Sequence, residues 1–171
     1  MEENEILKND PASVKYRRNK NILNVLGSGV IMFGFWTIIK IIAQVLLGDQ
    51  YIDRESIMEL GIGGTIFVVF VVAFVFSIDF IMRLYVGLRA RRESRGQKVG
   101  SGHLVVSVFL ILGSLLSIGV VIWNIMDTQG DLDDNIAAIF LELSSLVITL
   151  EVFMASVSVK RYRKKLSKEG R

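Results

Sequence analysis

Four long apolar runs constrain this chain more than any other feature: Ile22–Leu47, Leu60–Phe80, Leu104–Met126 and Ile136–Val159. Each reaches the roughly 18–20 residues that a helix needs to cross a bilayer at 1.5 Å rise per residue. A water-soluble domain of 171 residues buries one core and has no place for four helices apolar over that length. The fold class expected is therefore all-α: an integral membrane four-helix bundle, with four transmembrane helices and both termini on the same side. The spans are expected at about 22–47, 57–88, 103–126 and 135–160, making 22–160 the transmembrane domain. Residues 1–21 read as a loosely ordered cytoplasmic tail, and 161–171 as a basic cytoplasmic tail. The first run, at about 26 residues, exceeds the 7–15 of a signal-peptide core and is expected to remain as an anchor.

Orientation follows from charge. Of the 20 Lys and Arg residues, all but Lys40 and Arg54 fall in three places. These are the N-terminal segment, the middle connection with the helix end before it, and the C-terminal segment. The other two connections carry Asp49, Asp53, Glu55, Asp127, Asp131, Asp133 and Asp134. Positive charge is retained on the cytoplasmic side, so both termini are expected there. Zero cysteines leave no disulfide or thiolate chemistry. Short connections and the lack of a targeting segment suggest a bacterial plasma membrane.

The fourth run holds two acids, Glu142 and Glu151, and a carboxylate at membrane depth needs a partner or a wet cavity. Nine positions at 100° each put them on opposite sides of a helix, which suggests a central helix. Counting from the helix ends, Lys40 and Glu142 lie at one depth, roughly 10 Å below the outer boundary. They are expected to pair, with Gln44 one turn from Lys40. Asp79 and Glu151 both lie roughly 14–15 Å from the inner boundary, and Arg83 shares a face with Asp79 at i+4. Asp79, Arg83 and Glu151 therefore form an expected inner cluster, with Glu151 facing the second helix. Glu142, Ser145, Thr149 and Ser156 follow 3–4 spacing as a polar lane, while Ser144, Glu151 and Ser158 line the other side.

Other motifs are weaker. Gly61-x-Gly63-Gly64 opens an apolar helix with no strand before it, so close helix packing is expected rather than a phosphate loop. Gly27, Ser28, Gly29 and Gly34, and the pair Gly113 and Ser117, also suit close approach. His103 lacks any nucleophile or ligand company in sequence and reads as a surface residue at a helix entry. No catalytic residue, metal site or cofactor is expected. Arg17, Arg18, Lys20, Arg89, Arg91, Arg92, Lys160, Arg161 and Arg163 are expected to contact anionic lipid headgroups. Nucleic acid is not an expected partner, because aromatic interleaving is thin. The expectation is a non-enzymatic interaction or accessory protein, partnered by itself or another membrane chain. The alternative is a homo-oligomeric ion or small-solute transporter using Asp79, Arg83 and Glu151.

Overall fold

Why the basic ends become helical is the first thing the structure answers. The computed structural model describes residues 11–47, 54–128 and 132–168. Four helices make up this part of the chain: α1 (Pro11–Leu47), α2 (Arg54–Ser94), α3 (Gly102–Thr128) and α4 (Leu132–Lys168). Pro11 occupies the first position of α1, where its fixed φ and missing N–H cost nothing. The N-terminal segment from residue 11 is thus helical rather than loosely ordered. Its Tyr16 ring stacks on Tyr162 of α4 at 4.8 Å between centroids. The C-terminal segment is likewise helical to Lys168, because the two extensions hold each other.

α2 also runs past its apolar stretch, to Ser94. It stops in a glycine cap: Gly96 has φ +89°, its N–H bonds the Glu93 carbonyl, and Gln97 N–H bonds that of Arg92. That pair of bonds satisfies carbonyls the helix end would otherwise orphan, and the left-handed residue between them favours glycine. The basic middle connection is thereby a tight one of seven residues, 95–101.

All four helices are long and apolar enough to cross a membrane. α1 packs along α2 and α4, and α3 packs along α4, with a lighter contact between α2 and α3. Helices consecutive in the chain are thus neighbours in the bundle, and α4 only brushes α2. α4 is one side of a four-membered ring and not a central helix.

The core cluster consists of Leu23, Val30, Val86, Ala90, Leu110, Val152, Ala155 and Val159, all in the half of the bundle nearer the basic end. Farther along, Met32, Ile66, Phe70, Phe74, Leu116 and Trp123 face outward. An apolar surface of this extent is uncompensated in water.

Glycine sets the closest helix contact. A methyl group at Gly87 would lie 2.5 Å from the Gly27 carbonyl oxygen and from Ile31 Cγ1, so α1 and α2 meet backbone to backbone. Gly34 is less tight, with a methyl there 3.2 Å from the Phe80 ring. The expectation for Gly61 and Gly63 is not met: nothing lies within 4 Å of a Cβ at either. Gly61 instead breaks the helix, with φ 67° and ψ 171°. Gly113 is also open to space, and it lines a cavity along with Ser117.

Candidate functional site

Two polar centres occupy the bundle, one at mid-depth and one at the basic end. The first is built on Arg83. Its Nε donates to Asp79 Oδ2 at 2.8 Å one turn earlier, and its Nη1 donates to Ser145 Oγ on α4. Arg83 is buried, and Asp79 is 30% exposed. Arg83 therefore joins α2 to α4 as the residue spacing suggests, but through Ser145.

Glu151 is not part of this centre; it lies exposed on the outer face of α4. The reason is angular. Ser145, Thr149 and Ser156 are buried on the interior face, and Glu151 sits across the helix from that lane. Depth alone matched Glu151 to Asp79, and the helix angle separates them.

A cavity of about 500 Å³ lies between all four helices, and Asp79, Arg83 and Glu142 line it together. Thr37, Ser114, Ser117 and Ser145 contribute hydroxyls to its wall, alongside Phe33, Trp36 and Phe109. Glu142 thus shares a space with the Asp79–Arg83 pair. Ionised, these three carry one net negative charge, which favours a cation or a protonated amine there. The side chains of Lys40 and Gln44 lie outside the described residues, and so does the expected pair of Lys40 with Glu142.

The second centre was not legible as a site. Glu93 of α2, His103 of α3 and Ser156 of α4 are each fully buried. His103 Nδ1 lies 2.9 Å from the Gly100 carbonyl oxygen, which only accepts, so Nδ1 carries a hydrogen. His103 Nε2 lies 2.8 Å from Ser156 Oγ and 3.2 Å from Glu93 Oε2. Ser156 Oγ in turn donates to Glu93 Oε2. These bonds need one proton more than a carboxylate facing a neutral imidazole supplies. That proton leaves the trio neutral overall, which is what burial demands. His103 is accordingly an interior residue, not the surface residue its sequence context suggests.

Serine, histidine and glutamate together invite comparison with a nucleophile set. The geometry is different: the acid faces Nε2, the nitrogen that would have to take the serine proton, and Nδ1 is tied to backbone. The trio is sealed from solvent and fastens three helices. Glu93 Oε1 has no partner among the described residues.

Basic side chains complete this end. Arg163 Nη1 donates to the Gln97 carbonyl at 2.8 Å and Nη2 to the Glu93 carbonyl at 3.2 Å. Its Nε reaches Tyr16 Oη at 3.4 Å. Lys160 Nζ donates to the Gly100 carbonyl and to Ser101 Oγ. Arg163 and Lys160, expected on lipid, clamp the 95–101 connection onto α4. Arg89 lies over the Tyr85 ring, 5.3 Å from its centroid, while Arg18, Arg92 and Arg161 are exposed.

No group of three His, Asp or Glu side chains suited to a metal ion occurs among the described residues. The architecture defines an all-helical bundle of four potential membrane spans with a polar interior cavity. Compared with family models, curated proteins and solved structures, the chain finds no match.

Proposed function

We propose that the chain is a non-enzymatic integral protein of a bacterial plasma membrane, with both termini cytoplasmic, acting as an interaction or accessory component. Its basic end faces the cytoplasm in this reading, following the charge asymmetry, and touches anionic lipid there. The observation that carries the reading is the stacking of the interior. Below the cavity the core is filled by Val30, Val86, Leu110, Val152 and Ala155, and beneath it lies the neutral Glu93–His103–Ser156 trio. An interior filled in this order holds helices in register; it supports charges serving as fasteners over charges lining a conduit. The outward apolar faces of α2 and α3 supply contact area for lipid, for a second copy or for another membrane chain.

A second reading, an oligomeric ion or small-solute transporter, is favoured by the cavity that Asp79, Arg83 and Glu142 share. Purified protein in liposomes separates the two. The proposal expects proton and cation flux no greater than in empty liposomes. Flux that Asp79→Asn or Glu142→Gln abolishes would establish the transporter.

A further inference from the structure

We propose that the outer face of α4 around Glu151 docks a transmembrane helix of another chain that carries a lysine or arginine at the level of Glu151. The inference deepens the accessory reading above by naming the chemistry of the partner, and it rests on that reading.

Glu151 is exposed on α4, so no part of the chain covers it. It stands nine residues before Lys160, roughly 14 Å of helix. The Lys160 amine bonds the Gly100 carbonyl in the connection at the basic end. In a bilayer the Glu151 carboxylate therefore lies in hydrocarbon, too deep for a glutamate side chain to reach the headgroups. The exposed side chains one turn away on either side, Val147 and Met154, are apolar and give it nothing. A carboxylate at that depth is costly unless a partner meets it. Arg83, the cation that residue counting put at this level, is buried and donates to Asp79 and Ser145 instead. The partner that Glu151 requires is thus intermolecular.

The surroundings have the shape of a helix contact. Phe140, Val147 and Met154 recur every seven residues and are all exposed. Ser144, Glu151 and Ser158 fall between them at the same interval, the two serines half-buried. Alternating steps of four and three make a 3.5-residue repeat, the seam along which two helices wind left-handedly. Small serines on either side of Glu151 let a second backbone come close to it.

Charge decides between occupants. Two copies packed in parallel on this seam would bring Glu151 to Glu151. Arg161, next in the series and exposed, would likewise meet its own copy. A helix with one cation opposite Glu151 neutralises the carboxylate and leaves the seam to pack.

The test is energy transfer in liposomes between the dye-labelled full-length protein and a labelled synthetic leucine-alanine helix with a single central lysine. The lysine helix is expected to associate with the wild type about tenfold more tightly than the same helix with leucine at that position. Glu151→Gln is expected to remove that preference, and Glu142→Gln, which alters an acid of the interior wall, to leave it intact. Equal association of the lysine and leucine helices, or a preference that survives Glu151→Gln, would overturn the docking face while the protein remained inserted. Association between two labelled copies of the chain that the lysine helix does not displace would also overturn it, giving the face to a second copy. Failure of the membrane reading would show separately, as protein that does not enter the liposomes.

Discussion

His103 Nε2 stands 3.2 Å from Glu93 Oε2, with both side chains closed to solvent. The two residues flank one tight connection, and Ser156 reaches them from α4. Three helices are therefore fastened at a single buried point, and the fastening is electrically neutral only while both partners are present. Removing one of such a pair costs more than the pair contributes, because the survivor is left uncompensated.

That asymmetry gives the first expected outcome. His103→Leu strands Glu93 in the interior and should destabilise the bundle by about 3–5 kcal/mol. Glu93→Gln keeps a hydrogen-bonding group of the same shape and should cost less. Combining the two should recover part of the loss, since no buried charge then remains. Thermal unfolding in detergent, followed by helical circular dichroism, measures all three. Strictly additive losses would contradict the coupling.

The glycines give a paired comparison. Gly87→Ala places a methyl 2.5 Å from the Gly27 carbonyl, forces α1 and α2 apart, and should cost about 1–3 kcal/mol as overpacking does. Gly63→Ala meets nothing within 4 Å and should be neutral or slightly stabilising through helix propensity. The same unfolding measurement decides it, and an equal response at both positions would contradict the close contact.

Arg83 and Glu151 separate a fastener from a bystander. Arg83→Met leaves Asp79 without its cation and Ser145 without its donor, and should cost about 2 kcal/mol. Glu151→Gln, on the exposed face of α4, should leave stability within about 0.5 kcal/mol of the parent. A large loss at Glu151 would restore it to the interior cluster.

How far the sequence carried these results depends on the kind of inference used. Run length gave four helices of spanning length, because apolar composition over some twenty residues leaves few alternatives. The i,i+4 spacing of Asp79 and Arg83 fixed their contact, since both ride one helix. Cross-helix partners were harder. Glu151 was matched by depth, which ignores rotation, and spacing alone did not say which of the two polar faces of α4 turns inward; the structure buries Ser145, Thr149 and Ser156. Glu93 was hidden among Arg89, Arg91, Arg92, Arg95 and Lys98, where charge counting read orientation and lipid headgroup contact. A lone acid within that basic run, ten residues before the only histidine, was the signal available. The cationic residues divided for a comparable reason: Lys160 and Arg163 found carbonyls to cap, and composition does not distinguish a clamp from a headgroup contact.

The account stands on the bundle lying in a membrane with its basic end in the cytoplasm. Because the chain has no cysteine, single cysteines introduced at Gln97 and at Gly130 report without background. Intact cells and inverted membrane vesicles are treated with a membrane-impermeant maleimide. The account expects the Gly130 position to be labelled only in intact cells and the Gln97 position only in inverted vesicles. Labelling of both positions from the same side, or recovery of the protein in the soluble fraction, would contradict it.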